Sequence, residues 1–181
     1  MKVTRTAIPE VLLIEPRVFG DDRGSFFESW NQRAFDQAVG REVRFVQDNH
    51  STSVRNVLRG LHYQVREPQG KLVRVVEGEV FDVVVDLRRS SPTFGRWVGE
   101  RLGGSGSPML WVPEGFAHGF LVLSERAQFL YKTTEYYAPQ HERTLLWSDP
   151  AVGIAWPMAG APLLKASDAA GRPLAEAETF P

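Results

Sequence analysis

Leu72-Val73-Arg74-Val75-Val76-Glu77-Gly78-Glu79-Val80-Phe81-Asp82-Val83-Val84-Val85-Asp86-Leu87 is the run that decides the architecture. In its second half Phe81, Val83, Val85 and Leu87 alternate with Val80, Asp82, Val84 and Asp86, the period of two that sends successive side chains to opposite faces of a strand. The Phe81 to Leu87 set is expected to face the core, leaving Arg74, Asp82 and Asp86 as solvated or ion-paired positions. Glu77-Gly78 sits between two apolar runs, the signature of a hairpin turn.

Toward the C-terminus the same grammar repeats. Residues 97–102, 109–112, 119–123 and 127–134 are short β-prone runs, separated by Ser90-Ser91-Pro92, the Gly- and Ser-rich stretch 103–108, and Ser124-Glu125. Lys132 and Glu135 read as solvated or ion-paired, and Trp111, Phe116, Phe120 and Phe129 as core. Many short strands with turn signals between them, and no alternation with helices, predict an all-β antiparallel sandwich or barrel rather than a parallel α/β sheet. Beyond Tyr136 the chain is loop-rich, with Trp147, Ile154 and Trp156 as packing anchors.

Toward the N-terminus, residues 43–49 read as a strand ending in Gln47-Asp48-Asn49-His50, a group that on its own reads as a solvated turn. One short helix precedes it. Ser29 is its expected cap with Gln32 three residues on, Trp30, Ala34, Phe35, Ala38 and Val39 recur near helical spacing, and Gly40 ends it. Gly20-Asp21-Asp22-Arg23-Gly24 is a polar turn, and residues 3–16 hold one or two short strands, with Val11-Leu12-Leu13-Ile14 bracketed by prolines.

Composition narrows the function. A chain of 181 residues, 43% apolar, reads as one domain over 1–181 with a sizeable core. A formal charge of −1 supplies no bulk positive field for nucleic acid or an anionic membrane, while leaving room for a local basic pocket around a small anion. The absence of cysteine removes disulfides, thiolate nucleophiles and Cys-ligated metals. The apolar stretch 8–14 is broken by Pro9 and Glu10, so neither a signal peptide nor a membrane span is expected, and a cytoplasmic location is the default.

Candidate chemistry gathers in Arg59-Gly60-Leu61-His62-Tyr63-Gln64 and Gly70-Lys71-Leu72-Val73-Arg74, a cluster of basic and amide side chains among glycines at a strand start. Pro113-Glu114-Gly115-Phe116-Ala117-His118 has the spacing of the second cupin motif, and Gly60-Leu61-His62 resembles a reduced first motif. That resemblance implies a jelly-roll barrel with short flanking helices and both histidines at its mouth. Metal-binding cupins bring further ligands beside the first histidine; here Tyr63 and Gln64 follow it, so no metal is expected.

A closer resemblance is carried by Asp22-Arg23-Gly24-Ser25-Phe26-Phe27-Glu28, Phe45-Val46-Gln47-Asp48-Asn49-His50-Ser51, Leu58 to Gln64, Gly70 to Arg74, Trp111 to Phe120 and Phe129-Leu130-Tyr131-Lys132-Thr133-Thr134-Glu135-Tyr136-Tyr137. In order and extent, from the first strand to about Asp168, these blocks resemble the dTDP-4-dehydrorhamnose 3,5-epimerases. The resemblance implies a metal-free, cofactor-free inversion at C3 and C5 of dTDP-4-dehydro-6-deoxy-D-glucose. It implies His62 as base, Asp168 as its partner, Lys71 as enolate stabiliser and Tyr131 as acid. Arg23, Glu28, Gln47, Asn49, Arg59, His118 and Glu142 match positions that hold the nucleotide sugar, and Tyr137 matches the aromatic that stacks on thymine. Arg23 and Glu28 are implied to reach into a neighbouring subunit's site, making a homodimer the working unit. Where the family commonly has lysine before the aspartate, this chain reads Lys165-Ala166-Ser167-Asp168.

The residue types suit such a reaction. Both carbons are α to a ketone, so each inversion needs a base, a group that stabilises the enolate and an acid on the opposite face. Histidine is the side chain whose ordinary pKa lies near neutrality, and a carboxylate partner fixes its tautomer. A lone histidine is more often structural than catalytic; the surrounding motif overturns that prior. Three alternatives are an epimerase of one carbon or another dTDP-ketosugar, a metal-dependent cupin oxygenase or isomerase, and a sugar-nucleotide-binding module without catalysis.

Overall fold

The computed structural model describes residues 1–181 except Ser105 and Ala159, so part of the expected 103–108 loop lies outside the described residues. In chain order the strands are β1 (Lys2–Arg5), β2 (Leu12–Glu15), β3 (Val18–Asp21), β4 (Gly24–Phe27), β5 (Gln47–Val54), β6 (Leu58–Gln64), β7 (Lys71–Glu77), β8 (Glu79–Asp86), β9 (Trp97–Gly103), β10 (Met109–Val112), β11 (Phe116–Val122), β12 (Arg126–Thr133) and β13 (Glu142–Thr144). Helix α1 (Gln32–Val39) falls between β4 and β5, and the short α2 (Ala166–Ala169) lies near the C-terminus.

Two sheets face each other, six strands in the order β1-β2-β10-β7-β12-β5 and five in the order β13-β6-β11-β8-β9, with β3 and β4 as a separate hairpin. Pairing within every sheet is antiparallel. The expected antiparallel jelly-roll arrangement with short flanking helices is the fold the chain adopts. Between the sheets Val73, Val75, Leu110 and Phe129 pack against Val80, Val84, Val98, Leu102 and Phe120. Phe120 and Phe129 stack across the gap with ring centroids 4.1 Å apart. Large side chains buried this completely contribute roughly 1.5–3 kcal/mol each by leaving water.

The Phe81, Val83, Val85 and Leu87 face is buried elsewhere than expected. It packs with Leu61, Tyr63 and Ala117 beneath a C-terminal cover that supplies Leu145, Val152, Ile154, Trp156, Ala177 and Phe180. The inter-sheet interior takes the other face, Val80, Asp82, Val84 and Asp86. β8 is therefore buried on both sides, and Asp82 and Asp86, expected as solvated or paired, are 0% exposed. Asp86 is held by Arg88, Ser91 and Thr93, which all donate to its carboxylate.

Other local expectations shift in informative ways. α1 is capped by Asn31, whose side chain accepts from the Ala34 N–H, rather than by Ser29; Gly40 ends it in the left-handed conformation. The aromatic residues of that region do the docking: Phe35 meets Trp111 edge-on at 5.2 Å, and Trp30 and Phe45 close around it. Of the expected Gly20–Gly24 turn, Asp22 and Arg23 form the turn of the β3–β4 hairpin, and Gly20, Asp21 and Gly24 belong to its strands. Gln47 to His50, read as a solvated turn, is the first half of β5. Its alternation is polar on both sides because Gln47, Asn49 and Ser51 face a polar cavity and the other side faces out. Among the described residues no helix is long and apolar enough to cross a membrane.

Candidate active site

At one end of the sandwich the inward positions change from apolar to polar, and a cavity of about 400 Å³ opens between the sheets. Phe120 and Phe129 form its apolar floor. The five-stranded sheet contributes Arg59 and His62 from β6, His118 from β11 and Glu142 from β13; the six-stranded sheet contributes Gln47 and Asn49 from β5, Lys71 from β7 and Tyr131 from β12. Tyr137, Lys165 and Ser167 close the rim. His62 and Tyr131 thus enter one cavity from facing sheets.

β6 carries the densest part of the site. Leu61 and Tyr63 point into the cover, so the period of two turns His62 and Gln64 inward. His62 Nε2 lies 2.7 Å from Asp168 Oδ1. Asp168, brought in by α2, is 2% exposed, and it also accepts from the Gly60 N–H at 3.4 Å and the Ser167 hydroxyl at 3.3 Å. Burial pushes the Asp168 carboxyl up, but the hydrogen bond and charge of His62, with Gly60 and Ser167, outweigh it and hold the group below the ordinary aspartate value. Gly60 is needed there as glycine: φ is 124°, and a Cβ would sit 2.6 Å from Gly119 Cα where β6 and β11 pass closest.

Lys71, the first residue of β7, is 7% exposed, and its Nζ donates to the His62 carbonyl at 3.2 Å, tying the two sheets together. Burial pushes its ammonium down to about 8, while Glu142 and Asp82 act to raise it. Tyr131 is also lifted above an ordinary phenol, first by burial and then by Glu142, so it stays protonated at neutral pH. His118 presents Nε2 to both oxygens of Asp82 at 3.0 Å. Arg59 lines the cavity with its guanidinium anchored through Nε to Ser53 Oγ at 3.0 Å and through Nη2 to the Thr52 carbonyl at 3.5 Å.

The outer wall is a chain of short bonds. Gln47 donates to Asn49 and accepts from the Tyr137 N–H, and the Tyr137 hydroxyl donates to Glu142 at 2.9 Å. Gln64, which has no assigned role in the sequence reading, is 3% exposed and holds this wall in place. It accepts from the Ala138 N–H at 2.9 Å and donates to the carbonyls of Glu67 and Tyr136.

Of the twelve residues singled out in the sequence, ten are brought together here: His62, Lys71, Tyr131, Gln47, Asn49, Arg59, His118, Tyr137 and Glu142 line the cavity, and Asp168 supports His62. Arg23 and Glu28 are not. Arg23 sits on the β3–β4 turn, paired with Asp21, and Glu28 accepts from Asn31. Lys165 and Ser167 both line the rim, so a cation stands there two residues before the family's usual position. Asp82 was missed, although a lone carboxylate between Val80 and Val84 in an apolar strand was a usable signal. Among the described residues no three His, Asp or Glu side chains converge as a metal-binding group.

Known proteins resemble this chain along nearly its whole length. The dTDP-4-dehydrorhamnose 3,5-epimerase family profile matches residues 5–176. A dTDP-4-dehydrorhamnose 3,5-epimerase of Pseudomonas aeruginosa is 65% identical over 181 residues, covering 100% of both chains. That of Salmonella typhimurium is 61% identical, covering 94% of this chain and 93% of its own. A Legionella pneumophila dTDP-6-deoxy-D-glucose-3,5-epimerase, solved in complex with dTDP-4-keto-L-rhamnose, superposes with a TM-score of 0.95 at 48% identity, covering 98% of this chain and 94% of that one. A match of this length and strength means that the chain belongs to the dTDP-4-dehydrorhamnose 3,5-epimerase family.

Proposed function

We propose that this chain inverts C3 and C5 of dTDP-4-dehydro-6-deoxy-D-glucose to give dTDP-4-dehydro-L-rhamnose, within dTDP-L-rhamnose biosynthesis. The observation that carries the reading is the entry of His62 and Tyr131 into one cavity from facing sheets, with the Lys71 ammonium beside them. His62, oriented by Asp168, takes the proton from a carbon α to the C4 ketone, and the electron pair of the C–H bond moves onto the C4 oxygen. Lys71 stabilises the oxygen as it becomes negative. Tyr131 then delivers its hydroxyl proton to the opposite face of the same carbon, and the two residues recover their starting protonation through solvent. A second cycle inverts the other carbon.

Binding divides by chemistry. Arg59 and Lys165 suit the diphosphate, Tyr137 offers its ring to thymine, and Gln47, Asn49, His118 and Glu142 take sugar and nucleoside hydrogen bonds. Arg23 and Glu28, away from the cavity of their own chain, complete the site of a second copy in a homodimer. Support for that assembly comes from their exposed positions, Arg23 on the β3–β4 turn and Glu28 just after β4, beside the exposed Phe19 and Phe26.

Turnover of the ketosugar nucleotide in deuterium oxide tests the reading. Deuterium at both C3 and C5 of an inverted product is expected; label at C3 alone rejects the double inversion. Activity that disappears on chelation and returns with a divalent ion rejects the metal-free mechanism. Wild-type activity in His62→Ala leaves no place for the base. Size-exclusion light scattering that reports a monomer, or unchanged activity in Arg23→Ala, rejects the shared site.

A further inference from the structure

Asp82 is a fully buried carboxylate behind His118, and catalysis by His62, Lys71 and Tyr131 gives it no task. It stands on the inward face of β8, one strand from His118 on β11 and across the interior from Lys71 on β7. We propose that Asp82 is a positioning residue of this site, the buried counter-charge that keeps Lys71 an ammonium and fixes His118 with one ring nitrogen open to substrate. This deepens the epimerase reading and rests on it for what Lys71 does in turnover.

The geometry comes first. Both Asp82 oxygens lie 3.0 Å from His118 Nε2, so that nitrogen carries the proton and donates. Among the described residues every buried side-chain nitrogen and oxygen has a partner, and His118 Nδ1 has none within the protein. Nδ1 therefore opens to the cavity that His118 lines, as an acceptor for a hydroxyl when the ring is neutral.

Lys71 presents the harder electrostatic problem. An ammonium this buried is expensive to keep charged, and without a compensating anion it would release its proton. Facing it are Arg59 and His62 from β6, His118 from β11, Tyr131 from β12 and, around α2, Lys165 and Asp168. None of these supplies a free negative charge, because Asp168 is committed to His62. The remaining carboxylates are Glu142 and Asp82, which raise the Lys71 pKa in that order. Glu142 is partly exposed and hydrogen-bonded to Tyr137 at the mouth, where water weakens it. Asp82 acts from inside, in a medium that screens little. Burial raises its own carboxyl above the ordinary aspartate value, and the His118 hydrogen bond and the Lys71 charge act against that rise.

Asp82→Asn isolates the charge, because the amide oxygen still accepts from His118 Nε2 while the negative charge is gone. The chain has only four lysines, Lys2, Lys71, Lys132 and Lys165. With carbon-labelled lysine Cε, the Lys71 signal is the one missing in Lys71→Met, and its titration can be followed without substrate. The expected result is a Lys71 midpoint in Asp82→Asn at least about one pH unit below wild type, the scale of removing an opposite charge in a buried site. The alkaline limb of kcat/KM should move down with it. An unchanged midpoint in folded Asp82→Asn overturns the proposal. If that variant does not fold, Asp82→Ser carries the same expectation. Wild type alone also decides: a Lys71 midpoint below neutral pH means that no counter-charge is holding the ammonium. Because the titration needs no turnover, it stands apart from the deuterium experiment, which can fail without affecting it.

Discussion

His118 lies directly opposite His62 in the β6–β11 ladder, and each ring turns Nε2 to a buried aspartate, Asp82 for one and Asp168 for the other. The pairs are alike in bonding and unlike in access. The His62 side chain is 32% exposed, whereas that of His118 is 7% exposed. A group that exchanges protons with substrate and solvent needs the open position; a group that holds one hydrogen bond does not. His62→Gln is therefore expected to lower kcat by about 10²–10⁴ with little change in dTDP affinity. His118→Gln should act mainly on KM. Steady-state kinetics with a dTDP binding isotherm separates the two.

Tyr131 and His62 come from opposite sheets, and removing one should expose the half-reaction of the other. In Tyr131→Phe the base and the enolate stabiliser remain, so the α protons still leave and return from the His62 side. Deuterium should enter recovered substrate from deuterium oxide while inverted product falls by about two orders of magnitude or more. Loss of exchange and inversion together would move the tyrosine out of the acid role.

Tyr137 is half exposed, its backbone held by Gln47 and its hydroxyl by Glu142, which presents the ring at the cavity mouth with little freedom left to lose. Stacking on a base is worth about 1–3 kcal/mol by alanine substitution, so Tyr137→Ala should weaken dTDP roughly 5- to 150-fold by titration calorimetry. Tyr137→Phe keeps the ring and loses the Glu142 bond, and its effect should be smaller.

The strand pattern from Leu72 to Leu87 was legible because a hairpin between alternating runs is a local signal. Which face of β8 met the other sheet was not. That choice depends on the cover laid down by residues 145–180, distant in sequence and almost free of regular structure, and it decides whether Asp82 is solvated or part of the site. Gln47 to His50 misled for a related reason: a strand lining a polar cavity has no apolar face, so its composition matches a turn. The Asn31 cap was hidden by the equally suitable Ser29 two residues earlier. His62, Lys71 and Tyr131 were recoverable only because each stands inside a motif long enough to be distinctive; nothing local to Asp168 indicates that it meets a histidine 106 residues away.

Lys71 links stability and activity to pH in opposite directions. Burial lowers its ammonium from 10.5 to about 8. Activity that needs the charged form is full below that value and is lost as pH rises through it, giving kcat/KM an alkaline limb near pH 8. For stability the folded pKa lies below the unfolded one, so the unfolded chain binds the extra proton between about pH 8 and 10.5. Below that window the folded protein carries the whole cost of the buried charge, of the order of 3 kcal/mol, and within it the cost is progressively relieved as pH rises. Lys71→Met, which fills the same volume without a charge, should therefore unfold at higher urea than wild type at pH 7, by about 1–3 kcal/mol, while losing about 10²–10³ in kcat. The two urea midpoints should converge as pH is raised toward 10. Parallel midpoints across that range would mean that Lys71 titrates alike in the folded and unfolded chains, and the alkaline limb would then belong to another group.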